Sequence, residues 1–145
     1  MRHVRPRQKS AESISETCVS ERNLAILLRT MNPALHTEPV VFCALRNMTD
    51  VPLEAIASFR EAEGLTLVMP RSVAEELEIE FSYVAAWITL TVHSDLDAVG
   101  FLAAITQSLT ASGISCNVFS AVYHDHLFVP FVRGEDAMNV LRTFA

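Results

Sequence analysis

From residue 87 to residue 93 the chain reads Trp-Ile-Thr-Leu-Thr-Val-His, with an apolar residue recurring at every second position. A period of two places Ile88, Leu90 and Val92 on one face, the pattern of a strand with one buried side. Ser94 follows, and Asp97 stands three residues on, an arrangement resembling a capping box with an acid against a helix N-terminus. The period then lengthens. Ala98, Leu102, Ile105 and Leu109 form the stripe of a helix that reaches about Ser112, and Gly113 ends it. Residues 114–122 read as a second strand, Tyr123-His124-Asp125-His126 as a turn, and residues 127–131 as the returning strand, closed by Pro130 and Gly134. Residues 135–144 read as a last helix, with Ala137, Val140, Leu141 and Phe144 inward. The order strand, helix, strand, strand, helix predicts an α+β sandwich, a mostly antiparallel sheet with helices on one face. A complete unit of this kind needs one more strand after the last helix. That strand is expected from the other half of the chain or from a partner.

The first half repeats part of the logic. Ser20 is a candidate cap for a helix through Met31, with Leu24, Ile26, Leu27 and Leu28 on its apolar side, and Asn32-Pro33 stops it. Residues 40–45 form a compact apolar run after Pro39, and residues 47–52 carry turn chemistry. Residues 55–60 and 65–69 read as a hairpin in which Gly64 supplies conformational freedom. A helix over 54–63 is the alternative, because Glu, Ala and Arg are frequent there. Residues 71–77 read as a short helix. The division expected is a disordered tail over 1–19, a first, divergent unit over 20–83 and a second over 84–145.

Composition narrows the function. Half of the 145 residues are hydrophobic and the net charge is −6. Arg2, Arg5, Arg7 and Lys9 stand in the first ten residues without an acid, so the remainder is strongly acidic, which argues against nucleic-acid binding. No apolar stretch follows the basic residues as in a secretory signal, and the run around residues 83–92 is too short to span a bilayer. Cys18, Cys43 and Cys116 are odd in number and show no metal-binding spacing, as in a reducing cytoplasm. His93, His124 and His126 form no convincing zinc set. Ser94 and Cys116 lack any nucleophile motif such as GxSxG. No cofactor, no metal and no enzymatic activity are expected.

Four blocks carry a resemblance: Phe59-Arg60-Glu61-Ala62-Glu63-Gly64-Leu65-Thr66-Leu67-Val68, Ile88-Thr89-Leu90-Thr91-Val92-His93-Ser94, Gly113-Ile114-Ser115-Cys116-Asn117-Val118, and Tyr123-His124-Asp125-His126-Leu127-Phe128-Val129-Pro130. In this order they resemble a bacterial family of short ACT-domain proteins, and one half of the eukaryotic cytosolic arginine sensors with tandem ACT domains. The resemblance covers about residues 20–145. It implies a ferredoxin-like ACT sandwich of two packed half-units, and a cytoplasmic regulatory module that binds a free amino acid where two ACT units meet. The implied ligand residues are His93, Ser94, Asp95 and Leu96 in the loop, Val99 and Gly100 at the helix start, Asn117 and Val118 on the next strand, and Asp125. The sensors have two such halves per chain and this sequence matches one. A homodimer is therefore expected, with output through an unknown downstream protein, and arginine specificity does not carry over. A dimerisation or protein-interaction scaffold without a small ligand is the alternative.

The chemistry of the residues allows two uses at each point. A helix start near residues 95–98 offers unpaired N–H groups to a ligand carboxylate, while Asp95 and Asp97 already place negative charge there. Ser94 and Asp97 can instead simply cap the helix. Asp125 can pair with an ammonium or bond its own turn. Gly100 costs about 1 kcal/mol relative to alanine inside a helix, which suits close packing or close approach of a ligand. Trp87, Thr89 and Thr91, with Phe119, Ala121 and Tyr123, form an aromatic sheet face that calls for cover from a dimer partner or from the first half.

Overall fold

The computed structural model describes residues 20–46 and 51–145. The tail expected over 1–19 and most of the turn over 47–52 lie outside the described residues. The elements are α1 (Leu24–Thr30), β1 (Pro33–Leu35), β2 (Val40–Leu45), β3 (Ala57–Glu61), β4 (Gly64–Pro70), α2 (Arg71–Glu76), β5 (Tyr83–Leu90), α3 (Phe101–Ala111), β6 (Asn117–Ser120), β7 (Asp125–Pro130) and, after one 3₁₀ turn, α4 (Gly134–Arg142). All strands join one antiparallel sheet in the order β3-β4-β2-β5-β7-β6, with β1 also paired to β5.

β1 settles where the missing strand comes from. Pro33, Ala34 and Leu35 pair with Leu90, Thr89 and Ile88, while Val40 of β2 pairs with Ala85. The two short strands therefore lie end to end along one side of β5, and β7 takes the other side. The chain completes its own second half. Pro33 ends α1 as expected and also opens β1, a position where its missing N–H does little harm.

Alternation along the strands separates two faces. Ile88 and Leu90 of β5 and Leu127 and Val129 of β7 face α1, α3 and α4, and are buried with Leu27, Phe101, Ile105, Leu109 and Leu141. On the same face Val41, Cys43, Leu67 and Met69 bury Ala74 of α2. The opposite face is covered by no described helix. It carries Val40, Val68, Ala85 and Phe128, with Phe42, Ile56, Tyr83 and Trp87 packed beside them.

Several boundaries differ from the sequence reading. β3 and β4 form the hairpin, and the helical alternative over 54–63 is excluded. A Cβ at Gly64 would stand 2.6 Å from the Leu45 carbonyl oxygen, so close backbone approach requires glycine there. α1 is capped by Asn23, whose side chain accepts from the Ile26 N–H at 3.1 Å, and not by Ser20. Leu24 and Ile26 are exposed, and Leu27 is the fully buried residue of this helix. α3 starts at Phe101, not at Ser94. The Asp95 side chain accepts from the Asp97 N–H at 2.9 Å, the Asp95 carbonyl accepts from the Ala98 N–H, and Gly100 then takes φ +92°. That left-handed residue cannot continue a right-handed helix, so Ser94 and Asp97 do not form a capping box and Gly100 is needed for its dihedral angle. Asp125 and His126 belong to strand β7 and not to the turn.

Leu127 is fully buried opposite Ile88. Leu127→Ala is expected to destabilise the fold by about 2–5 kcal/mol, to be read as a lowered urea midpoint at unchanged slope.

Candidate ligand site

At the end of β5 the backbone leaves the sheet, and residues 94–100 arch over the edge of the core before α3 begins. The arch, the first turn of α3 and the β6–β7 hairpin enclose a cavity of about 140 Å³ lined by Ser94, Asp95, Leu96, Gly100, Leu102, Ala103, Ser120 and Asp125, among others.

Asp125 is the chemical centre of this cavity. It opens β7 opposite both Leu90 and Ser120, and only 5% of it is exposed. Among the described residues, Thr89 is the other buried polar one. Each carboxyl oxygen of Asp125 accepts one hydroxyl, from Ser94 at 2.6 Å and from Ser120 at 2.6 Å. A carboxylate has about four lone-pair positions, so two hydroxyls leave it room for a further donor.

The start of α3 faces the same cavity. Its first helical bond runs from the Ala104 N–H to the Gly100 carbonyl, so the N–H groups of Phe101, Leu102 and Ala103 have no partner within the helix. The residue before the helix, Gly100, has no side chain to cap them, and no cap from another described side chain is found. The helix dipole adds a partial positive charge at this end.

The N-terminal segment braces the arch. The Glu21 N–H donates to the His93 carbonyl and the Asp95 N–H to the Glu21 carbonyl, both at 3.0 Å. Ser20 Oγ donates to Asp95 at 2.7 Å. Arg22 lies 3.0 Å from Asp95 and 3.4 Å from Asp97. The Arg22 hydrogen bond, then those of Ser20 and the Asp97 N–H, pull the Asp95 carboxyl down to about 2. The hydrogen bond and charge of Asp95, and after them the charge of Asp97, raise the pKa of Arg22. The negative charge that the sequence sets beside the helix start is therefore met by a cation.

Of the residues singled out from the sequence, Ser94, Asp95, Leu96, Gly100 and Asp125 line the cavity together. Val99 is 86% exposed and turns away from it. His93 is exposed, with its ring 5.0 Å from His124 and 6.0 Å from Tyr123. Asn117 and Val118 sit towards the other end of β6, opposite Phe128 and Leu127. Ser120 also lines the cavity and is not marked by the sequence reading. Its signal is register: closing the hairpin over residues 121–124 pairs it directly with Asp125. Among the described residues no three His, Cys, Asp or Glu side chains are placed to hold a metal ion. Burial raises the Cys43 thiol and pushes Cys116 up to about 11, which removes thiolate character from both.

Two family models, both described as an ACT domain, match residues 19–86 and 82–143. Among solved structures, a protein of unknown function from Vibrio cholerae, described as a possible transport protein, is 43% identical, with 84% of this chain and 95% of that one covered and a TM-score of 0.76. A protein from Agobacterium tumefaciens shares the fold at 17% identity and a TM-score of 0.62, over 79% of this chain and 88% of its own. So does the regulatory subunit of aspartate kinase from Thermus thermophilus, in its ligand-free form, at 11% identity and 0.60, over 81% of this chain and 98% of that one. A comparison with curated protein sequences finds no match. No described helix is long and apolar enough to cross a membrane. Two ACT-type units in tandem on one antiparallel sheet, and a relative this similar along nearly its whole length, place the chain in the ACT-domain family.

Proposed function

We propose that this protein is a cytoplasmic ligand-sensing regulatory module, without catalytic activity of its own, that binds a free amino acid in the cavity at the start of α3. The observation that carries this reading is the meeting, in one small cavity, of a buried acid and an uncapped helix N-terminus. A free amino acid has the complementary pair of charges. Its ammonium needs acceptors, which Asp125 and the hydroxyls of Ser94 and Ser120 supply. Its carboxylate needs donors, which the N–H groups of Leu102 and Ala103 supply along the helix dipole. Arg22 offsets Asp95 and Asp97, which would otherwise repel that carboxylate. A cavity of about 150 Å³ takes a molecule the size of benzene, so the space suits an amino acid with a compact side chain. The shared fold with a regulatory subunit of aspartate kinase supports a regulatory role.

The signal would pass through a homodimer to a downstream protein. β6 supports this, because among the described residues it is the edge of the sheet and all four of its residues are exposed. An unpaired edge is a template for another strand. A second copy paired there would bring Asn117 and Val118 to the interface, beside the end of the strand that holds Ser120.

The test is a thermal-shift screen of the free amino acids. A ligand at about 100 times its Kd stabilises by about 2.7 kcal/mol, a clear rise in Tm for a domain of this size. Asp125→Ala is expected to abolish that rise while the circular dichroism of the unliganded protein stays as in the parent. An unchanged ligand response in Asp125→Ala removes Asp125 from the site. A flat screen across all amino acids overturns the sensor reading in favour of an ACT scaffold without a small ligand. A separate prediction concerns Arg22. Because the Asp95 carboxyl titrates lower in the folded chain than unfolded, its ion pair stabilises the fold above pH of about 4. That contribution fades as pH falls through about 2. Arg22→Gln is expected to return Asp95 towards the ordinary carboxylate range, read from the pH dependence of its side-chain carbon resonance.

A further inference from the structure

The helix-free face of the sheet holds a second hollow, of about 320 Å³, bordered by Ile56, Trp87, Phe119, Ala121, His126 and Phe128. This volume lies within the range of about 300–1,000 Å³ usual for small-molecule sites. Among the described residues the lining is aromatic and aliphatic except for one ring, that of His126, and no Asp, Glu, Lys or Arg borders it.

Hydrogen bonds fix the state of that ring. An indole N–H can only donate, and Trp87 Nε1 donates to His126 Nδ1 at 3.1 Å. Thr89 Oγ1 meets the same nitrogen at 3.1 Å and meets His36 Nε2 at 2.9 Å. A nitrogen that accepts carries no proton, so His126 is neutral with its hydrogen on Nε2. Burial, and after it the neighbouring His124, lower the His126 pKa and favour the same state, against a smaller opposing effect of Asp125. On its other side Trp87 is held by His36, stacked at 3.5 Å between centroids with the planes 7° apart. The hollow thus has a rigid aromatic wall and one N–H donor of defined tautomer, and a ligand need not order either of them.

We propose that this hollow is a second binding site, distinct from the cavity at α3, for an uncharged aromatic molecule bearing a single hydrogen-bond acceptor such as a carbonyl oxygen. The ring packs among Trp87, Phe119 and Phe128, and the acceptor takes the His126 Nε2–H. A charged ligand finds no countercharge on this lining and loses its hydration. A ligand with several polar groups leaves all but one unpaired.

The chain has a single tryptophan, so its indole N–H gives one resonance that reports on the wall of the hollow. Acetophenone is the probe, with ethylbenzene as its counterpart lacking the acceptor. Titration with acetophenone is expected to shift the Trp87 indole N–H saturably, with ethylbenzene binding about tenfold more weakly, the equivalent of one hydrogen bond. Ala121→Phe fills the hollow and is expected to remove both responses. Contacts from the probe's ring protons to the Ile56 methyl groups, read as nuclear Overhauser effects in the unaltered protein, confirm the position without relying on that variant. No saturable shift up to about 10 mM overturns the proposal, as does equal affinity for the two probes. Nuclear Overhauser effects between Trp87 of one copy and side chains of a second copy also overturn it, because a second copy then covers this face.

Discussion

Strand β5 is hydrogen-bonded along both of its sides, and the rest of the molecule takes its position from that fact. β2 and β1 share one side and β7 takes the other. A strand paired on both sides must satisfy two registers at once, and a slip of one residue would turn every side chain to the wrong face. Ile88 and Leu90 are fully buried against α1, α3 and α4, while Trp87 and Thr89 enter the polar and aromatic network of the other face. Because Val41 pairs with Val84 and Leu127 with Ile88, the two helix-side cores, separate clusters in themselves, lie on the same face of one sheet.

The cavity at α3 is a consequence of where β5 stops. Pairing with β7 ends at Leu90 opposite Asp125, and the chain must then travel to α3 without sheet partners. Glu21, Asp95 and Gly100 manage that passage with a backbone bridge, a side-chain turn and a left-handed residue. The acid and the helix start face each other because both lie at the same end of neighbouring strands. Burial of Asp125 would be costly alone; the hydroxyls of Ser94 and Ser120 make it tolerable.

The periodic parts of this fold could be read from sequence, and the parts set by single residues could not. The alternation through Ile88 and Leu90, the stripe of Ile105 and Leu109, and the hairpin around Gly64 all report which side is buried, and burial is what fixes those elements. The start of α3 is not legible because Ser94 and Asp97 have the spacing of a cap, and no local pattern shows that Asp95 closes its own turn first. β1 is not legible because its three residues, Pro33 to Leu35, carry no period, and only pairing with a distant strand makes them extended. The sequence offers Asp125 as a ligand acid or a turn residue, and places it in the turn rather than in a strand. Its burial depends on a register that local sequence does not state, and the place of Ser120 beside it depends on the same register.

The placement of β1 bears on how the chain reaches its native state. Pro33 precedes the whole first hairpin, yet its partner Leu90 follows it. On a ribosome releasing the chain from its N-terminus, α1 and β1 emerge early and must wait for β5 before they have anything to join. The β2–β4 hairpin layer can close meanwhile, but the layer that contains Leu27 cannot. Contacts of such wide sequence separation slow folding. They also tie the two ACT units together, so a cut between residues 46 and 57 would leave the second unit without its fourth strand. The tandem repeat is thus a single interlocked body, in which neither unit is complete until both have been made.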